Sequence, residues 1–390
     1  MFRLIDELFT QCEETKGIII GFYYMQRVLL TTGGTGGHIF PALAVAEALR
    51  KFYPNIEILF VGSDYGPERE LVTKAGINFI GLPVRGFIGR GLKSLTASFI
   101  MFGAIKKSIK IIKDFKPDLA MGFGSYASFA PLLAAKICKI PTALHEQNAV
   151  MGMSNKLLGK LVNKVFLSMP IEFPVSIKGI KLFSTEKCIL IGNLVRSAIS
   201  GIGENEHDFT TKKLLVLGGS QGAKSLNDFI VKNIDNLDSQ GITILHQTGI
   251  KDFDRVKAAY EAKGINTQNL MPFIVDMPKV YDMADLVLCR AGASTVTELA
   301  AVGKGAIFVP FPYATHDHQN YNARLLADIG AAKVYQEKDI DSENLIQEVI
   351  NLLNSPNLLE QMAKLARTKH CENVSQELVN NLNLLIKHSE

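Results

Sequence analysis

The run Cys289 to Pro312, CRAGASTVTELAAVGKGAIFVPFP, concentrates residue types that could bind an anion. The apolar stretch Asp285 to Cys289 ends in a turn through Arg290, Ala291 and Gly292, and a short helix is expected from about Thr295. Small residues at such a turn let a ligand approach the backbone, and the first N–H groups of a helix have no partner within it. Those bare donors and the helix macrodipole both favour negative charge. Thr295 and Glu298 have capping-box spacing, which gives Glu298 a purely local use. The alternative puts Glu298 on a ligand hydroxyl while the helix start holds a diphosphate.

Two further glycine turns carry the same kind of chemistry. TTGGTGGH follows the β-type run Arg27 to Thr31 and leads into a helical pattern, Ile39 to Lys51. GGSQGAKS follows Lys213 to Leu217 in the same way. Strand, glycine turn and helix in succession make the first βα unit of a doubly wound sheet. Neither turn fits the dinucleotide fingerprint: the first lacks the third glycine, and no acidic residue ends its next strand. The second lacks P-loop spacing. A nicotinamide enzyme and a nucleoside triphosphatase are both demoted.

The elements that must hold these turns recur along the chain. Strands are expected at Ile56 to Val61, Phe79 to Leu82, Asp118 to Met121, Thr142 to Leu144 and Lys164 to Leu167. After a linker near Ser184 to Ser200 they resume at Lys213, then at Ile242 to His246, Leu270 to Ile274, Asp285 to Cys289, Ala306 to Val309 and Lys333 to Tyr335. From about Asp341 the pattern is helical. Two Rossmann-like halves of an α/β protein follow. The domain expectation is an extension over 1–24, a first domain over 25–190, a second over 191–370 and a closing helix over 371–390.

A chain of 390 residues exceeds one ordinary core, and 47% apolar with 21% charged residues is a globular composition. The five scattered cysteines show no metal-ligand spacing and suggest a reducing compartment. No segment has the run of roughly 18–20 apolar residues that a membrane-spanning helix needs. Acidic residues ahead of the first apolar run are unlike a signal peptide, and Met25 would serve equally well as a start. The formal charge of +4 is unevenly spread: residues 1–196 hold 24 Lys and Arg against 14 Asp and Glu, and residues 197–390 hold 18 against 24. The first half could therefore face an anionic surface.

Taken together, GGTGGHIFPALAVAEAL, GFGSYASFAP, HEQNAVMGMSNKLL, GNLVR, GGSQGAKSLN, CRAGASTVTELAAVGKGAIFVPFP and HDHQNYNARLL resemble the MurG-type family of bacterial peptidoglycan transferases. They occur in the family's order from Thr31 to about Ala332. The resemblance implies a GT-B fold, with two Rossmann-like domains facing across a cleft and a last helix returning to the first. It implies an inverting transfer of N-acetylglucosamine from UDP-N-acetylglucosamine to lipid I, giving lipid II. Leu194 in GNLVR stands where the family often has proline, and residues 1–24 have no counterpart in the family's usual start.

Displacement of UDP by a sugar hydroxyl needs a base and a stabilised leaving group. His38 is the candidate base, since an ordinary imidazole with pKa near ~6.5 can take a proton at neutral pH; otherwise it caps its helix or orients substrate. Thr35, Gly36 and Gly37 bring N–H groups to donor or acceptor phosphates, or only permit the turn. Asn148 reaches the donor sugar or the acceptor, or holds its own loop; His145 and Glu146 are expected in structural hydrogen bonds. The resemblance places Arg196, Ser220, Ile274, Ala293, Ser294, Thr295, Val296, Thr297 and Glu298 on UDP, Ile274 by its backbone, and Gln319 on the sugar hydroxyls. No cofactor is expected, and no metal: contiguous His316, Asp317 and His318 chelate poorly.

Between Arg85 and Lys164 there are thirteen basic and three acidic residues. Leu95, Phe99, Ile100, Met101 and Phe102 precede Lys106, Lys107, Lys110 and Lys113, a pattern suited to an anionic inner leaflet or to an ordinary basic helix face. The implied location is peripheral, on the cytoplasmic face of the inner membrane. Expected partners are UDP-N-acetylglucosamine, lipid I, that membrane surface and cell-wall synthesis or division proteins; nucleic acid is not among them. The rival readings are another UDP-sugar GT-B enzyme (a glycolipid transferase or a UDP-N-acetylglucosamine 2-epimerase) and a non-catalytic nucleotide-sugar-binding subunit.

Overall fold

The computed structural model describes residues 25–34, 36–84, 94–177, 179–204, 206–219 and 222–387. The extension over 1–24, Thr35 and Ser220 lie outside them. The chain divides into two compact units, one running to Leu194 and resuming at Cys371, the other spanning Val195–His370.

The first unit carries β1 (Arg27–Thr31), α1 (Gly36–Phe52), β2 (Glu57–Ser63), α2 (Glu68–Lys74), β3 (Asn78–Leu82), α3 (Ser94–Phe115), β4 (Leu119–Gly122), α4 (Phe129–Ile137), β5 (Thr142–Glu146), α5 (Met153–Leu161) and β6 (Lys164–Leu167). A hairpin of β7 (Val175–Ile177) and β8 (Ile180–Phe183) follows, then β9 (Cys188–Leu190). Seven parallel strands lie in the order β3-β2-β1-β4-β5-β6-β9. Helices cover both faces, so the middle of β1, Val28 to Leu30, is continuously apolar instead of alternating. Val28 and Leu30 enter one core cluster, and Leu29 enters the other.

The second unit carries α6 (Ser197–Ser200), β10 (Lys213–Leu217), α7 (Lys224–Ser239), β11 (Thr243–Gln247), α8 (Phe253–Ala262), β12 (Leu270–Met271), α9 (Met277–Met283) and β13 (Leu286–Cys289). It continues with α10 (Ala293–Val302), β14 (Gly305–Phe308), α11 (His318–Ala327), β15 (Ala332–Val334), α12 (Glu343–Leu353) and α13 (Pro356–Arg367). Six parallel strands run β12-β11-β10-β13-β14-β15.

The two sheets start alike down to one carboxylate. Asp118, just ahead of β4, accepts from the backbone N of Gln26 (2.7 Å) and Arg27 (2.8 Å) at the root of β1. Asp285, just ahead of β13, accepts from Lys213 N (2.9 Å) at the root of β10. Each thereby fixes the register of the strand pair at the middle of its sheet.

The last helix, α14 (Val374–Lys387), belongs to the first unit. Leu378, Leu382 and Ile386 join the core cluster that holds α1, and Asn383 Oδ1 accepts from Tyr53 OH at 2.8 Å. Two expectations need correction. The stretch expected as linker contains β9, which pairs with β6; three half-buried residues at a sheet edge leave little periodicity to read. The strand expected over Leu270 to Ile274 stops at Met271.

Candidate active site

Ligands of open parallel sheets bind beyond the strands' carboxyl ends, where the strand order reverses. In the first unit that point lies between β1 and β4, whose ends Thr31 and Gly122 are paired. Three segments meet there: the turn after β1, the turn after β4 and the loop after β5. Thr32 Oγ1 donates to Gly124 O (3.2 Å), and Ser128 Oγ donates to Thr31 O (2.9 Å), tying the first two together.

His38 stands in the first turn of α1, half-buried, with Gly36 and Gly37 before it. Its Nδ1 lies 2.9 Å from Gln147 Oε1. Gly124 has φ +95°, and a Cβ there would sit 3.3 Å from His38 Cε1 and 3.2 Å from the Asn155 amide. Only glycine fits both that backbone and that space. The next residue, Ser125, holds φ 68° and ψ 158°, a strained region that side chains avoid.

Glu146 is buried and organises the loop after β5. One oxygen accepts from Asn148 N (3.0 Å) and Asn148 Nδ2 (3.1 Å), the other from Gly152 N (3.0 Å) and Asn155 Nδ2 (2.9 Å). Asn148 is thus turned back on its own loop. Two further residues escaped the sequence reading. Buried Glu68 accepts from Gly34 N at 2.8 Å and braces the glycine turn from α2. Gln147 links His38 to His145, its Nε2 lying 3.0 Å from His145 Nδ1.

In the second unit the switch point lies between β10 and β13, where Leu217 pairs with Cys289. Gly222 has φ +76°, and a Cβ on it would lie 2.2 Å from Thr248 O, so this turn also requires glycine. Helix α10 begins at Ala293, with Gly292 as N-cap, two residues before the expected start near Thr295. The first helical bond is Val296 N to Gly292 O (3.0 Å), which leaves the N–H groups of Ala293, Ser294 and Thr295 as the helix's orphan donors. Ser294 Oγ is buried without a partner among the described residues. Val296 is buried in the core, and Thr297 Oγ1 donates back to Ala293 O (3.0 Å).

The capping box does not form. No side chain caps α10, and Glu298 Oε2 accepts from Tyr281 OH at 3.0 Å. Burial pushes the Glu298 carboxyl above its ordinary value, while the Tyr281 bond and the charge of Arg196 pull it back. Tyr281 is buried and its hydroxyl is held well above the usual range by desolvation and by Glu298, so it stays a neutral donor. Arg196 is exposed at the N-cap of α6.

Ile274 is buried, and its N–H is taken by Gln247 Oε1 at 3.0 Å. Gln247 Nε2 in turn donates to Gly219 O (2.9 Å), so one amide joins the Ile274 loop to the glycine turn. Gln319 lies in the first turn of α11 and accepts from Phe311 N at 2.9 Å, after two left-handed residues, His316 and Asp317. Arg290, expected only as a turn residue, is a half-buried brace. It donates to Val309 O (3.0 Å), pairs with Glu337 and reaches Ser225 Oγ (3.0 Å). Among the described residues no group of His, Cys, Asp and Glu could hold a metal ion.

A separate cavity of about 550 Å³ in this unit includes Ile202, Phe209, Val302 and Lys304 in its lining. Lys304 precedes β14, at the opposite end of the sheet from the glycine turn. Its ammonium is buried without a hydrogen-bond partner among the described residues, and burial lowers its pKa to about 8.

Two doubly wound units, each with a glycine turn at its switch point, define the class: a GT-B glycosyltransferase fold. Residues 28–167 match the glycosyltransferase family 28 N-terminal domain, and residues 213–378 match its C-terminal domain. The chain belongs to glycosyltransferase family 28. A relative from Lawsonia intracellularis is 48% identical over 88% of this chain and 93% of its own length. One from Nitratidesulfovibrio vulgaris is 44% identical with the same coverage. Both are named UDP-N-acetylglucosamine–N-acetylmuramyl-(pentapeptide) pyrophosphoryl-undecaprenol N-acetylglucosamine transferase. The crystal structure of Acinetobacter baumannii MurG superposes with a TM-score of 0.71 at 34% identity, covering 92% of this chain and 99% of that one.

Proposed function

We propose that this chain transfers N-acetylglucosamine from UDP-N-acetylglucosamine to the MurNAc 4-hydroxyl of lipid I, forming lipid II for peptidoglycan. The observation that carries the reading is relatedness at 44–48% identity over nearly the whole chain to enzymes named for that transfer. It favours transfer over epimerisation, and over a binding subunit without activity of its own.

The residues divide the work by unit. The second unit, proposed as the donor domain over 191–370, receives UDP. Orphan donors at Ala293, Ser294 and Thr295 meet the diphosphate, aided by the α10 dipole, the Ser294 hydroxyl, Ser220 and the charge of Arg196. Glu298 accepts from the ribose hydroxyls with the oxygen that Tyr281 leaves open. Val296 and Thr297 contribute by holding the helix start in place. With its N–H engaged, Ile274 has its carbonyl to offer the base. The first unit, proposed as the acceptor domain over 25–190 with the helix over 371–390, supplies Thr35, Gly36 and Gly37 at the helix start, Asn148 in its loop and His38 as base.

In the reaction the acceptor oxygen forms a bond to the anomeric carbon from the face opposite the leaving group. The bond from that carbon to the β-phosphate oxygen breaks, and UDP departs with the electron pair. The hydroxyl proton passes to His38 Nε2. Leaving-group charge is met by fixed N–H donors and Arg196, the stabilisation that matters most when charge develops in the transition state.

Contact with an anionic inner leaflet belongs to α3. No described helix is long and apolar enough to cross a membrane. Ile100 and Phe102 are exposed, and Lys106, Lys107, Lys110 and Lys113 are exposed further along the same helix. Met101, expected in the apolar patch, packs instead against the core, and the side chains of Leu95 and Phe99 lie outside the described set. Cell-wall synthesis and division proteins are proposed partners on that face. Transfer of radiolabelled N-acetylglucosamine from its UDP form to a lipid I analogue, with and without chelator, tests the activity. Absence of labelled lipid II would refute it.

A further inference from the structure

The loop after β5 holds a hydrogen-bonded row that ends on His38, and its polarity can be read from one backbone atom. Gln147 is buried, and its Nε2 lies 3.1 Å from His145 O and 3.0 Å from His145 Nδ1. A backbone carbonyl only accepts, so the amide nitrogen must face it. The amide oxygen is then the end that faces His38 Nδ1 at 2.9 Å. An amide oxygen also only accepts, so Nδ1 of His38 must carry the proton. In the neutral ring the lone pair is left on Nε2.

Reversing the amide would set its oxygen against the His145 carbonyl. That would face two buried acceptors at about the 3.1 Å of the present bond and leave the His145 carbonyl only the long 3.5 Å bond from Asn155 Nδ2. Beyond Gln147 the row keeps one direction. His145 Nδ1 accepts, so its proton sits on Nε2, 3.2 Å from Ser168 Oγ, and Ser168 Oγ donates to Asn193 Oδ1 at 3.4 Å. His145 is fully buried, and desolvation lowers its pKa to about 4, so the ring stays neutral. Protonating it would put an N–H against the Gln147 NH₂ and break the row.

We propose that Gln147, held by His145, is a positioning residue that fixes His38 as the Nδ1–H tautomer and so leaves Nε2 free to take the acceptor's proton. This rests on the reading of His38 as the base. The ring of an unconstrained histidine side chain prefers its proton on Nε2, the nitrogen that must be bare here, so the row reverses the intrinsic preference. Gln147 touches no reacting atom in this scheme; it acts through His38.

The test separates the tautomer from turnover. The full chain is labelled with ¹⁵N-histidine and its ring nitrogens are recorded above the imidazole titration range, the His38 signals being assigned by their loss in His38→Gln. The wild-type ring is expected to show a protonated Nδ1 and a bare Nε2. In Gln147→Met the proton moves to Nε2, and kcat with a lipid I analogue falls by roughly 100-fold, the lower end of a positioned base's contribution. KM for UDP-N-acetylglucosamine stays unchanged. Gln147→Glu keeps an acceptor on Nδ1 and so holds the proton there, while its second oxygen, set against His145 O, shows its cost in a lower melting temperature. A wild-type proton on Nε2 overturns the inference even if neither variant folds, as does an unmoved proton in Gln147→Met. A moved proton with undiminished kcat refutes His38 as base, and the positioning role with it.

Discussion

Glu298 offers the sharpest test of the donor site, because its two oxygens have different partners. Oε2 accepts from Tyr281 OH at 3.0 Å, and Oε1 has no hydrogen bond among the described residues. A hydrogen bond from a ribose hydroxyl to this carboxylate is worth roughly 1.5–3 kcal/mol. At about 1.4 kcal/mol per decade, Glu298→Ala should raise the Kd for UDP roughly 10- to 150-fold. Glu298→Gln keeps an oxygen acceptor without the charge and should fall between. Tyr281→Phe leaves Oε1 in place, so its cost should appear in thermal stability with little change in Kd. Titration calorimetry with UDP and with uridine separates the contributions, since the loss should be shared by both ligands. The pH dependence has a definite sign. Burial raises this carboxyl, so acid should weaken UDP binding at a higher pH than an ordinary glutamate would, and that dependence should vanish in Glu298→Ala. An unchanged Kd in Glu298→Ala would refute the ribose role.

Other outcomes follow from the same geometry. His38→Ala should keep the UDP-N-acetylglucosamine affinity, measured by calorimetry, and lose turnover by roughly 10²–10⁴-fold; intact turnover would remove it as the base. Lys304→Met should raise the melting temperature without changing kcat. The folded state holds this ammonium at about 8 against 10.5 ordinarily, a penalty on the order of 3 kcal/mol. Because a lowered lysine pKa means the unfolded chain binds the proton better, the penalty is full below pH 8 and fades toward 10.5. Wild-type stability should therefore rise across that window, and denaturant titrations of the variant should not. Serine at both Ile100 and Phe102 should weaken sedimentation with phosphatidylglycerol vesicles by roughly tenfold or more, given about 1.5–3 kcal/mol for each buried apolar side chain; equal binding would move the membrane contact elsewhere.

Much of this fold is legible in the chain because strands buried on both faces are written as short apolar runs closed by glycine. Val28 to Leu30 and Leu214 to Leu217 are such runs, and the turns after them point to the switch points directly. Strand β9 is hidden because three residues at an edge show neither alternation nor a long apolar block. The start of α10 was misplaced because Thr295 and Glu298 have cap spacing, yet Tyr281 claims the carboxylate and Gly292 caps the helix. Gln147, Glu68 and Arg290 were missed for a common reason. Their partners are distant in sequence: His38 lies 109 residues from Gln147, and Glu337 lies 47 from Arg290. No periodicity encodes such pairs. Thr35 and Ser220, both expected at the site, lie outside the described residues.

The central physical claim is that the start of α10 holds the leaving diphosphate, and a crystal of this chain grown with UDP tests it most directly. The account predicts phosphate oxygens within hydrogen-bond distance of the N–H groups of Ser294 and Thr295 and of Ser294 Oγ, with the ribose on Glu298. A nucleotide seated away from that helix start would contradict it.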